Sequence, residues 1–123
     1  IAVTEGVCAE EARRDHAGHI RRILDGRPHI MLKLAVSADG KAALPGGSPV
    51  AITGEATRAR VHLMRAMSDA ILVGIGTVLA DDPALTCRLP GMLKASPVRV
   101  VLDPGLRIPA RSQLVSSARE VPV

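Results

Sequence analysis

Three short apolar runs restrict the fold of this chain more than any other feature. They are His29-Ile-Met-Leu-Lys-Leu-Ala-Val36, Ala70-Ile-Leu-Val-Gly-Ile75 and Val98-Arg-Val-Val-Leu102. Each is bounded by turn-forming residues, and runs this uniformly apolar read as strands covered on both faces, as in a parallel or mixed sheet. Between the first two, Ala56, Ala59, Leu63 and Met67 recur at helical spacing. They predict a helix capped by Thr53, with Glu55 in its first turn and Arg58 and Arg65 on its surface. Strand, helix, strand and strand give an α/β class.

The turns sharpen this layout. Ser37-Ala-Asp-Gly-Lys41 is a turn and Ala42 to Val50 a loop. Thr77 to Ala80 is a short helical turn ended by Asp82-Pro83, and Asp103-Pro-Gly105 is a further turn. Ahead of the sheet, Ile1 to Thr4 reads as a short strand. Ala9 to Leu24 reads as one helix, with Ala12, His16, Ala17, Ile20, Ile23 and Leu24 on its apolar side and Gly26 as its stop. Arg27-Pro28 marks a boundary, because a residue before proline resists helix. A chain that opens at Ile1 inside structured sequence and closes at Val123 after a strand and turn is expected to be part of a longer protein, with some of its sheet and site outside it.

Composition removes several functions. The chain has no Phe, Tyr or Trp, so its core is aliphatic. It has no stacking platform for single-stranded nucleic acid and no aromatic cage for a quaternary ammonium. A net charge of +4 favours anionic partners, but the 16 Lys and Arg are scattered. The longest apolar run is too short to span a bilayer. Cys8 and Cys87 make no metal spacing, and nothing demands an oxidising compartment, so the cytoplasm is expected. No nucleic acid, membrane or metal partner is predicted.

The chemistry concentrates after the second run. Gly74-Ile-Gly76-Thr77 follows a strand and precedes a helical turn, where backbone amides can approach a phosphate. A tight turn that needs glycine explains the same residues, and the third glycine of a dinucleotide fingerprint would fall at Leu79. Asp81 and Asp82 are either turn formers before proline or a carboxylate for a ribose or nicotinamide group. Lys33 inside an apolar strand either reaches a cleft or snorkels to water. Arg65 and Arg88 flank the second strand and together suit a phosphate monoester, although two surface residues would look the same. His16 and His19 lack a third ligand for a metal.

Leu32-Lys-Leu-Ala-Val-Ser-Ala-Asp-Gly-Lys41, Ile52-Thr-Gly54, the stretch from Arg65 through Asp69 to Thr86, and Val98-Arg-Val-Val-Leu-Asp103 closely resemble the reductase domain of the bifunctional riboflavin-biosynthesis deaminase/reductase. The resemblance covers residues 27–109, and the stretch from Asp69 to Thr86 is specific to that family. Residues 1–26 resemble the tail of the preceding deaminase domain and a linker helix. The deaminase's zinc signature is absent.

The resemblance implies a dihydrofolate-reductase-like fold, with a mixed, mostly parallel sheet and flanking helices, incomplete in this chain. It implies reduction of 5-amino-6-(5-phosphoribosylamino)uracil by NADPH. Ala35, Thr77 and Asp81 fall at the cofactor, and Gly74 and Gly76 of the phosphate-approaching turn are expected beside them. Lys33, Arg65, Leu85 and Arg88 fall at the phosphorylated substrate, where Ser48 can stand in for the family's serine, with Lys33 and Asp81 nearest the reacting atoms. It further implies a deaminase domain upstream in the same parent chain and a homo-oligomer formed through the reductase domain. Where the family has Ser-x-Trp, this chain has Pro49-Val50-Ala51, with Ser48 adjacent. That departure keeps two other functions open, a non-catalytic binding or dimerisation module and a same-fold reductase for another pterin- or pyrimidine-like substrate.

Overall fold

The structure is a computed structural model that describes residues 1–45 and 50–123. The chain divides into two compact units, residues 1–34 and 35–123.

In the first unit, α1 (Ala9–Asp15) and α2 (Ala17–Asp25) replace the single helix expected over Ala9 to Leu24. The helix kinks at His16, at φ −100° and ψ 12°, while helical hydrogen bonds continue into and out of that residue. Gly18, in the next turn, is the residue that weakens the helix here. Glu10 and Glu11 lie in the first turn of α1 and Arg13 and Arg14 in its last, matching the helix dipole. Gly26 ends α2 at φ +62°, the left-handed stop its position predicts. Residues 1–4 form no strand, and none of residues 1–34 is buried.

The expected strand over residues 29–36 is also not formed. Ile30 is 83% exposed and Leu32 79%. An apolar run reports a preference for burial, but a strand exists only where a neighbouring strand takes its N–H and C=O groups.

The second unit begins with the predicted turn. The Ser37 N–H donates to the Lys41 carbonyl at 2.9 Å, and Gly40 sits at φ +76°, where a side chain would be strained. Helix α3 (Glu55–Ala66) starts one residue later than expected. Gly54, not Thr53, is its N-cap, and no side chain caps it. Its packed surface also differs from the expected stripe. Ala56, Ala59 and Met67 are exposed, whereas Val61, His62, Leu63, Met64 and Arg65 are half-buried. Packing thus falls on the C-terminal half of α3, and it draws in the arginine assigned to the surface.

Strands β1 (Ala70–Gly74) and β2 (Val98–Leu102) pair in parallel, with Ile71 opposite Arg99 and Val73 opposite Val101. Helix α4 (Ile75–Asp81) follows β1 directly and is longer than the predicted turn. Asp82 ends it at φ +39°, and Pro83 cannot continue it. A short helix, α5 (Gln113–Ser116), is capped by the Ser112 hydroxyl, which accepts from the Val115 N–H at 3.4 Å. Ile75 and Val78 of α4, Leu85, and Leu114 of α5 form the buried core, with Ile71, Val73, Val101 and Ile108 packed against it. Each fully buried aliphatic side chain contributes about 1.5–3 kcal/mol. Only this face of the strand pair is covered, since Leu72 and Leu102 on the other are both 58% exposed. None of the described helices is long and apolar enough to cross a membrane.

Candidate functional site

Two features of the second unit gather most of the candidate residues. The first is a cleft of about 320 Å³ lined by Gly76, Thr77, Ala80 and Asp81 of α4, facing Ala42, Ala43 and Val50. Its glycines are not required by the backbone. Gly74 lies at φ −79°, neither Gly74 nor Gly76 has a positive φ, and a Cβ at either would meet nothing within 4 Å. The tight-turn explanation of these glycines therefore does not hold, and they leave an open surface beside Thr77.

The two neighbouring aspartates separate cleanly. The Asp82 Oδ1 accepts the Gln113 N–H at 2.9 Å, and the Asp82 carbonyl accepts from the Gln113 amide, so this residue ties α4 to α5. Asp81 is exposed and lines the cleft, and its carboxylate has no hydrogen bond or ion pair among the described residues. A carboxylate left free at a cleft is one available to donors on a ligand.

The second feature is a cationic corner where the C-terminal half of α3 meets the segment after α4. Arg65 Nη1 donates to the Thr86 carbonyl at 3.0 Å. The Arg88 N–H donates to His62 Nδ1 at 3.2 Å. Burial, and after it the nearby Arg88, lower the proton affinity of the Arg65 guanidinium, while Cys87 opposes them. Arg65 Nε is buried without a hydrogen-bond partner. An anion nearby favours the charged form of both guanidiniums.

The remaining candidates lie elsewhere. The Leu85 side chain is 6% exposed and belongs to the core, and its backbone stands at φ +55°, strained for leucine. Ala35 is half-buried in the second unit, and Lys33 is exposed in the first. Ser48 lies outside the described residues. Among the described residues no three His, Cys, Asp or Glu gather as metal ligands.

Two residues with large roles carried no clear sequence signal. His62 is one, and only its three-residue spacing from Arg65 hints that the two share a helix face. Arg99 is the other. It is fully buried, and it donates to the carbonyls of Ala84 at 3.1 Å, Leu114 at 3.2 Å, Pro122 at 3.4 Å and Val121, and to the Ser117 hydroxyl at 2.8 Å. Burial lowers its proton affinity.

The family described as the RibD C-terminal domain matches residues 28–123. The chain belongs to this family. It is 42% identical over 120 residues to the riboflavin biosynthesis protein RibD of Actinobacillus pleuropneumoniae, covering 98% of this chain and 31% of that protein. It is 46% identical over 108 residues to RibD of Mycobacterium tuberculosis, covering 83% and 31%. The chain thus spans about a third of the length of these curated relatives. Among solved structures, it matches Acinetobacter baumannii RibD with a TM-score of 0.83 and 34% identity, over 94% of this chain and 34% of that one. It matches the deaminase/5-amino-6-(5-phosphoribosylamino)uracil reductase of Thermotoga maritima with a TM-score of 0.75 and 45% identity, over 84% and 29%. The α/β, dihydrofolate-reductase-like architecture is therefore that of the RibD reductase domain.

Proposed function

We propose that the chain is part of a riboflavin-biosynthesis reductase that transfers hydride from NADPH to 5-amino-6-(5-phosphoribosylamino)uracil, giving the ribitylamino product. The observation that carries this reading is the cationic corner, where Arg65 and Arg88 come together from separate elements. Paired guanidiniums suit a terminal phosphate through fork-like hydrogen bonds.

Part of NADPH would lie in the cleft on α4. The bare surface at Gly76 leaves room for it, with Gly74 just ahead at the end of β1, the Thr77 hydroxyl can donate or accept, and the unpaired Asp81 carboxylate accepts from a ribose or carboxamide group. When bound, NADPH supplies the hydride. The chain's own residues hold the two partners and keep their charges matched, with Ala35 a further cofactor contact and Lys33, Ser48 and the Leu85 backbone further substrate contacts. On this reading, residues 1–26 close an upstream deaminase domain in the same polypeptide, and residues 27–123 open the reductase domain, which associates with copies of itself in the cytoplasm.

The test is NADPH oxidation by the full-length protein supplied with the deaminated phosphoribosylaminouracil. Turnover with a preference for NADPH over NADH is expected. A folded protein without turnover would favour a binding module or a reductase for another substrate, and Pro49 and Ala51 would be the first residues to revert.

A further inference from the structure

The segment from Ala84 to Arg88 has no regular secondary structure, yet side chains hold its backbone at nearly every residue. Arg99 Nη1 donates to the Ala84 carbonyl at 3.1 Å, and Arg65 Nη1 to the Thr86 carbonyl at 3.0 Å. The Cys87 N–H donates to Ser96 Oγ at 3.0 Å, and the Arg88 N–H to His62 Nδ1 at 3.2 Å. Between them, Leu85 is locked in the core at a positive φ. Three of these ties do not depend on pH, because a guanidinium always donates and a hydroxyl always accepts. The fourth does. An imidazole nitrogen accepts only while it carries no proton, so the tie to Arg88 requires neutral His62 with its proton on Nε2.

We infer that His62 is a positioning residue, whose neutral imidazole accepts the Arg88 N–H and orients the Arg88 end of the segment toward an anionic group, and whose protonation releases it. This rests on reading Arg65 and Arg88 as the phosphate site.

The surroundings agree with the neutral form. The charged groups facing His62 are Arg65 on its own helix and Arg88 on the segment packed against it, with the Thr86 backbone alongside. Burial first, then Arg65 and Arg88, push its pKa below 6.5, and only the Thr86 backbone opposes them. The sign follows from this lowered pKa. Above the ordinary imidazole value of 6.5 the neutral, accepting form predominates. As pH falls below that value the unfolded chain takes up the proton first, and stability declines. Once the folded imidazole itself protonates, the tie to Arg88 opens and the phosphate site loosens.

The experiment compares kcat and KM for the phosphorylated substrate across pH in the full-length wild type, His62→Asn and His62→Leu. Asparagine keeps an acceptor near Nδ1 and does not titrate. A phosphate monoester gains a proton near pH 6, but this affects all three proteins alike. His62→Leu is expected to raise KM about fivefold to tenfold at every pH with kcat within about twofold, the loss typical of one hydrogen bond. His62→Asn should restore the neutral-pH KM and remove the extra rise in KM that the wild type shows in acid. The inference is overturned if His62→Asn keeps the wild-type pH profile, if His62→Leu leaves KM unchanged, or if KM falls in acid, which would make imidazolium a direct phosphate ligand. Should the full-length protein reduce no such substrate, the reading of the site fails separately. The ¹⁵N spectrum of the His62 ring then decides the arrangement, since a proton on Nδ1 at neutral pH overturns it.

Discussion

Two arginine-centred regions grip the same piece of chain, and they differ in how much of each guanidinium is used. Arg99, inside the sheet, spends its donors on four carbonyls and a hydroxyl drawn from Ala84 and from residues 114–122. No carboxylate is among its partners in the described residues, so peptide dipoles hold the buried charge. At the rim, Arg65 engages the segment through the Thr86 carbonyl alone and keeps an unpartnered Nε, while the Arg88 guanidinium makes no hydrogen bond or ion pair among the described residues and only its backbone N–H is tied, to His62. A saturated guanidinium is part of the scaffold, whereas one with unused donors is free to take an anion. On the proposed reading, the difference separates a structural arginine from ligand-binding ones.

The largest effect should come from closing that difference at the scaffold. Arg99→Leu removes every donor at once and leaves the Ala84, Leu114 and Val121 carbonyls buried without partners. The expected loss is on the order of 3–5 kcal/mol, read as a lower denaturant midpoint for this domain in the full-length protein. A loss below about 1 kcal/mol would show that water replaces the guanidinium easily, and Arg99 would then resemble the rim arginines.

At the rim the expected change lies in binding. Arg88→Ala should raise KM for the phosphorylated substrate by about tenfold or more, because a hydrogen bond to a charged group is lost. Its denaturant midpoint should hardly move, since the Arg88 side chain is exposed and its N–H remains. A dephosphorylated analogue should show little change in KM. An equal loss with both substrates would move Arg88 into the scaffold class and erase the contrast with Arg99.

What could be read from the sequence followed how local each cause is. The turns at Ser37–Lys41 and Asp103–Gly105 and the stop at Gly26 depend on neighbouring residues and appear where turn formers place them, and β1 and β2 appear where their apolar runs find each other as partners. The run over 29–36 shows the limit, because hydropathy carries no information about the partner a strand needs. The buried half of α3 shows it too, since alanines at helical spacing do not say which end is packed. In the site, Thr77, Asp81, Arg65 and Arg88 came from a specific motif. Arg99 did not, because its acceptors lie 15 to 23 residues away and an arginine in a strand reads as exposed. His62 makes its tie to a residue 26 positions on, which no spacing rule on the helix detects.

The finest version of the contrast lies in two adjacent aspartates. Asp82 is committed to the scaffold through the Gln113 N–H, and Asp81 is left free at the cleft. Asp82→Ala is expected to cost about 1 kcal/mol of stability, as the loss of a helix cap does, with the KM for NADPH unchanged. Asp81→Ala should do the reverse, leaving stability within about 0.5 kcal/mol and raising the KM for NADPH about fivefold. Measuring both parameters for both variants makes each the control for the other. If Asp82→Ala also weakened NADPH, the cofactor would depend on how α4 is anchored to α5 as well as on the free carboxylate. If Asp81→Ala left NADPH use unchanged, the carboxylate would be idle, and the cofactor contact on α4 would fall to Thr77 and the bare backbone at Gly76.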